Sequence, residues 1–194
     1  MKRKDIILIG GGGHCCSCID VIEQEGKYNI AGIVDTQSKI GESVLGHKII
    51  AGDKDLPKLV KEHSIFFITI GQIGKPEARK KVFHALNGLD VFLPTIISPI
   101  AYVSKHAKVG RGTIIMHHAI INAGVLIGHN CIINTKALVE HDAIVGDFCH
   151  ISTNATINGG VKVENDTFIG SGAVTKENVV IREGSFIKAN SIVK

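Results

Sequence analysis

Up to about residue 95 the apolar residues fall in short runs separated by segments of helical spacing. Residues 5–9 (DIILI) run into four successive glycines, Gly10 to Gly13. This predicts a buried strand, a tight loop and a helix over residues 15–25 closed by Gly26. Residues 30–34 read as a second strand ending at Asp35, 56–62 as a helix, 66–70 as a strand and 76–86 as a helix with Pro76 in its first turn. Strands alternating with helices imply a parallel sheet with right-handed crossovers.

From Ile97 onward the pattern changes to a period of six. Every sixth residue from Ile97 to Val193 gives seventeen positions, sixteen of them Ile or Val and the other Thr175. Four places after each stands a small residue (Ala101, Ala107, Thr113 and onward), never larger than Val. Six matches neither the roughly 3.6-residue period of a helix nor the alternation of an ordinary strand. It suits a parallel β-solenoid, in which three six-residue edges close one 18-residue triangular turn. Gly110, Gly128, Gly146 and Gly170 are expected at bends that need permissive backbone. The expected architecture is an α/β Rossmann-like half domain over residues 1–95 and a β-solenoid over 96–194, the latter resembling the hexapeptide-repeat left-handed parallel β-helix.

Composition narrows the function. The 22 basic and 18 acidic residues leave a net charge of +4, there is no Trp, and aromatics make up 5%. That balance offers neither the charge nor the stacking platforms of a nucleic-acid partner. No apolar run approaches the roughly 20 residues of a membrane helix. The start, Met1-Lys2-Arg3-Lys4-Asp5, leads into only four apolar residues, which does not read as a secretory leader. Five cysteines without a C-x-x-C pair fit neither a disulfide framework nor a zinc finger and imply a reducing, cytoplasmic setting. Cys131 and Cys149, one turn apart, are expected as core fillers. The tracts Lys2-Arg3-Lys4 and Arg79-Lys80-Lys81 read as solvated faces.

Two places carry candidate chemistry. The four glycines let backbone N–H groups gather round an anion at the helix N-terminus. Cys15 stands where a dinucleotide fingerprint has its third glycine, and about 95 residues before the solenoid are half of a full dinucleotide fold, so a nucleoside diphosphate fits better than a hydride carrier. Asp35, ending the second strand, is placed to accept from a ribose or a base. In the solenoid, His141 shares a column with Ala123 and Gly159, which leaves room around its ring. Imidazole suits removal of a proton from an attacking amine or hydroxyl near neutral pH, and either Glu140 or Asp142 could hold its second nitrogen. His150 is the polar rung of an outward apolar ladder, Ile114, Ile132, His150, Phe168, Phe186. That ladder is expected to be buried against another copy, giving a homotrimer with a groove between subunits. His117, His129 and His141 recur every 12 residues and so fall on three different faces, and no metal is expected.

An α/β head on a hexapeptide solenoid resembles the sialic-acid O-acetyltransferase and UDP-amino-sugar N-acetyltransferase family. The segments that carry the resemblance are Ile9-Gly10-Gly11-Gly12-Gly13-His14, Ile33-Val34-Asp35, Ile70-Gly71, and the run from Asn134 through Glu140-His141-Asp142 to His150-Ile151-Ser152-Thr153-Asn154. The resemblance implies that His141 is the general base and that Asp142 raises its basicity. It implies that Asn134, His150, Gly159 and Ser171 belong to the acetyl-CoA site, and that Gly12, Gly13, His14, Asp35 and Gly71 hold the sugar nucleotide. Arg79 is a looser match to a phosphate contact, and Thr36 stands where some members carry a second acid. The implied activity is acetyl transfer from acetyl-CoA to the amino group of a nucleotide-linked sugar in surface glycan synthesis, without a metal, by a homotrimer. The alternatives are O-acetylation of sialic acid and a sugar-nucleotide-binding scaffold without turnover.

Overall fold

The apolar run of residues 5–9 becomes the centre of a parallel sheet in the structure, a computed structural model that describes residues 3–194. Strand β1 (Lys4–Ile9) is followed by α1 (Gly13–Glu25), β2 (Tyr28–Asp35), β3 (Ser43–Val44), β4 (His47–Gly52), α2 (Leu56–Glu62), β5 (Phe66–Ile68) and α3 (Glu77–Asn87). The sheet order is β3-β4-β2-β1-β5, with only the β3–β4 pair antiparallel. Ile6, Ile7 and Leu8 are fully buried, as an inner parallel strand covered on both faces requires. Helix α1 buries Cys15, Cys18, Ile19 and Ile22, one stripe at helical spacing, and stops at Gly26, whose left-handed backbone (φ 69°) returns its N–H to Ile22 O. The β3–β4 hairpin turns at Leu45 and Gly46, both with positive φ, and is absent from the sequence reading.

Arg79 departs from expectation. It is 1% exposed, with Nη1 donating to the carbonyls of Ile68 (3.2 Å) and Ile70 (2.5 Å), so it braces the end of β5 and is neither solvated nor turned to a phosphate. Met1 and Lys2 lie outside the described residues; Arg3 and Lys4 beside them are exposed.

Beyond residue 95 the chain winds into three parallel sheets of six, five and six two-residue strands. Each strand pairs with the one 18 residues later, as in Ile114↔Ile132↔His150 and Leu126↔Ile144↔Lys162. The six-residue series points inward, and from Ile115 to Ile169 all its members are at most 5% exposed. The small residues are buried beside them, because the narrow prism has no space for two large side chains per edge. Cys131 and Cys149 are core residues whose thiols donate to the carbonyls of Gly146 and Glu164. The hydrogen bond with Cys131 and burial push the Cys149 thiol far above its ordinary range, which makes it inert.

The corners correct another expectation. Left-handed backbone recurs at every sixth residue from Gly112 to Asn190, and eleven of these fourteen positions are Gly, Asn or Asp, the residues that tolerate it best. Gly110, Gly128, Gly146 and Gly170 are not among them. They are small for another reason: a Cβ on Gly146 would sit 2.4 Å from Asn165 Oδ1 and 2.8 Å from its backbone nitrogen, in the next turn.

The structure divides into two compact units, Met1–Gly71 with Ala78–Pro94, and Gln72–Glu77 with Thr95–Lys194. Residues 72–77 therefore group with the solenoid, unlike the single boundary near residue 95 drawn from the sequence. The outward ladder at His150 is also already shielded within one chain: Ile114 and Ile132 are fully buried and His150 and Phe168 nearly so, leaving only Phe186 half exposed. It is not a surface for a neighbouring copy. A residue's place in the repeat sets its face but not what packs on that face.

Candidate functional site

In the α/β unit the ends of β1, β2 and β5 open into a cleft of about 290 Å³ lined by Gly10, Gly12, Asp35, Thr36, Lys39, Asp53, Ile70 and Gly71, among others. Of the five residues assigned to the nucleotide, Gly12, Asp35 and Gly71 line it, while Gly13 and His14 form the first turn of α1 beside it. The four glycines have different reasons to be small. A Cβ on Gly10 would lie 2.6 Å from the Ile70 side chain, and one on Gly11 3.0 Å from Asp35 Oδ2. On Gly12 and Gly13 a Cβ would meet nothing within 4 Å, so packing does not demand glycine there. No side chain caps the N-terminus of α1, whose first-turn N–H groups and dipole suit an anion.

Asp35 organises this loop. Its Oδ2 accepts from Gly11 N and its Oδ1 from Thr36 N, both at 2.6 Å, with Lys39 Nζ 3.2 Å away. Partial burial alone would raise the carboxyl, but those two N–H groups and the Lys39 ammonium outweigh it and hold the group below its ordinary range. Three donors on a carboxylate with about four acceptor positions leave room for one ligand hydroxyl. Lys39 and Asp53 were not foreseen. They lie in polar stretches without a motif, and only the fold of residues 36–55 carries them to the cleft.

In the solenoid, His141 and Asp142 occupy a corner turn between two sheets. Asp142 takes the left-handed position (φ 60°), and its Oδ2 lies 2.9 Å from His141 Nδ1. Glu140 instead accepts from Asn122 Nδ2 at 2.7 Å, one turn back, so Asp142 is the carboxylate on the imidazole. That hydrogen bond raises the His141 pKa, opposed by desolvation and aided by the charges of Asp142 and Glu140. Both side chains are about 70% open to solvent (68% and 74%). The ring lies over Gly159, where a Cβ would stand 2.9 Å from Cε1 and Nε2.

Asn134 and Ser171 sit on a different corner, reached across one sheet face. Asn134 Nδ2 is 3.1 Å from His150 Nε2, and Ser171 Oγ is 2.9 Å from Ser152 Oγ. Thus one chain brings His141, Asp142 and Gly159 together, and separately Asn134 and His150, but it does not join the two sets. Among the described residues, no three His, Cys, Asp or Glu side chains gather in a metal-holding arrangement.

The family model described as the PglD N-terminal domain matches residues 5–86. Over 120 residues the chain is 35% identical to the UDP-N-acetylbacillosamine N-acetyltransferase of Bacillus subtilis (strain 168), covering 58% of this chain and 51% of that protein, so the match spans about half of that curated relative. The crystal structure of PerB from Caulobacter crescentus, in complex with CoA and GDP-perosamine, superposes with a TM-score of 0.91 at 32% identity, over 100% of this chain and 90% of that one. The acetyltransferase domain of PglB from Neisseria gonorrhoeae FA1090, in complex with acetyl coenzyme A, gives a TM-score of 0.84 at 28% identity, over 99% and 93% of the two chains. A PglD-type head joined to a left-handed β-helix, matched along its whole length by PerB, makes this chain a member of the nucleotide-sugar N-acetyltransferase family.

Proposed function

We propose that this protein transfers the acetyl group of acetyl-CoA to an amino group on a nucleotide-linked sugar, as a step in surface glycan synthesis. The observation that carries the reading is the exposed His141 imidazole, held through Nδ1 by Asp142 and seated on Gly159. Nδ1–H donates to the Asp142 carboxylate, which leaves the Nε2 lone pair to take a proton. The sugar amine attacks the thioester carbonyl while Nε2 accepts its proton. As the new C–N bond forms and the C–S bond breaks, the proton passes from Nε2 to the departing thiolate sulfur, giving an amide and CoA. The loop at Gly12, Gly13 and His14 would hold the diphosphate, Asp35 a ribose hydroxyl, and Gly71 the cleft wall. Asn134, His150, Gly159 and Ser171 would receive acetyl-CoA.

The separation of the two solenoid corners favours a homotrimer, in which a neighbour's corner completes the site. The faces available for it are the exposed apolar rows of the other two sheets: Tyr102, Ile120, Val174 and Ile192 on one, and Leu126, Ile144 and Val180 on the other. Five free cysteines suit a reducing cytoplasm, and among the described residues no helix is long and apolar enough to cross a membrane.

The test is release of free CoA thiol from acetyl-CoA with a panel of UDP- and GDP-linked amino sugars and free sialic acid, with products read by mass spectrometry. The expected result is an acetamido product from at least one amino sugar and none from sialic acid. No thiol release with any acceptor would contradict the activity, and a product from sialic acid alone would move the acceptor to a hydroxyl.

A further inference from the structure

His150 is 7% exposed, and both of its ring nitrogens are engaged inside the chain. Nδ1 lies 2.5 Å from the backbone oxygen of Gln72. A carbonyl only accepts, so Nδ1 carries the proton. Nε2 faces Asn134 Nδ2 at 3.1 Å. The orientation of that amide is set from its far side, where Thr135 N donates to Asn134 Oδ1 at 2.7 Å, so the NH₂ end meets the ring and Nε2 accepts. Between a backbone N–H at one end and a backbone carbonyl at the other, one arrangement of protons satisfies every bond: a neutral imidazole protonated on Nδ1.

Gln72 is fixed in turn. It is 3% exposed, and its Nε2 donates to the carbonyl of Phe148 at 3.0 Å, two residues before His150. The rest of its amide gains nothing: Oε1 is buried with no hydrogen-bond partner, a costly state for an amide oxygen. Gln72 therefore grips the His150 strand twice, by side chain to Phe148 and by backbone to the ring, while its side-chain acceptor Oε1 stays unsatisfied. An apolar residue of equal size would avoid that cost but would lose the side-chain grip.

From this chain of bonds we infer that Gln72 is a positioning residue for acyl transfer: its backbone carbonyl fixes His150 as the Nδ1–H tautomer, whose Nε2 then holds one N–H of the Asn134 amide and leaves the second N–H to donate to the acetyl carbonyl. The inference rests on the reading above that Asn134 and His150 serve the acetyl-CoA site. His150 in this state presents only an acceptor at Nε2, so the donor comes from Asn134 and His150 acts through it.

The experiment is nitrogen-15 NMR of the histidine-labelled full-length protein, with His150 assigned by its loss in His150→Gln, alongside kinetics of wild type and Gln72→Met. The expected wild-type spectrum shows a protonated Nδ1 and an accepting Nε2 at neutral pH. Gln72→Met keeps the backbone carbonyl but loses the Phe148 bond that holds it against Nδ1, so the two nitrogens move toward averaged shifts. In that variant kcat falls about 10- to 100-fold, as for a displaced catalytic group, with KM for the nucleotide sugar unchanged. An active wild-type protein with His150 protonated on Nε2 overturns the inference and leaves the proposed activity standing. Gln72→Met with wild-type tautomer and kcat overturns it equally. The expected spectrum in a protein that releases no CoA does the reverse, removing the activity while the clamp remains.

Discussion

In the solenoid each residue has counterparts one turn away, and its role shows as a departure from them. In the α/β head each residue stands alone, and its role shows only in what it touches. Glycine makes the contrast concrete. Gly146 is small because the next turn passes within 3 Å of where its side chain would be, and Gly159 because the His141 ring occupies that space. Gly12 is small although nothing of the protein lies within 4 Å. The first lets the turns stack, the second leaves room for the His141 ring, and the third borders open space at the cleft. The same amino acid is thus small for three different reasons at three places.

That contrast can be broken by substitution. His141→Ala should lower kcat by about 10²- to 10⁴-fold, the usual worth of a general base. Its Tm should not change, because the side chain is 68% exposed; equal losses of turnover and Tm would make His141 structural. Gly146→Ala should cost roughly 1–3 kcal/mol of stability through overpacking, whereas Gly12→Ala should leave thermal denaturation unchanged and raise KM for the nucleotide sugar about tenfold, a weakened charge-assisted contact. If both alanines lowered Tm alike, the distinction between the glycines would fail. Gly159→Ala should fall between them: a tilted ring costs kcat about tenfold with Tm and nucleotide binding retained. The smallest effect is that of Asp142→Asn. Losing the carboxylate lowers the His141 pKa, so the acid limb of the rate profile should move to lower pH.

The solenoid was legible because its six-residue period repeats over some hundred residues, and one inward Ile or Val per edge is enough to define it. Its left-handed corners also repeat, three places on, but His118, Lys136 and Phe148 interrupt the Gly, Asn and Asp series that marks them. In the head, the strand-glycine-helix start was readable from local pattern, while the β3–β4 hairpin was not. Its strands pair over only two residues, and its turn is Leu45-Gly46 without an alternating pattern on either side. For the site, His141 and Asp142 are neighbours in sequence, so their geometry follows from one corner turn. Spacing left Glu140 and Asp142 equivalent and only the family resemblance favoured Asp142; in the structure Asn122, eighteen residues away, separates them by engaging Glu140. Lys39, Asp53 and Gln72 left no local signal, because each acquires its place from long-range folding.

The central claim is that His141, with its basicity raised by Asp142, takes the proton from the sugar amine. The measurement that tests it most directly sets the NMR titration of His141 in the free enzyme against the acid limb of kcat/KM, which reports the same state. One shared midpoint is expected, above the ordinary histidine value of about 6.5, with a parallel downward move of both in Asp142→Asn. An acid limb that ignores the titration of His141, or that stays put in Asp142→Asn while the ring's own midpoint falls, would contradict it.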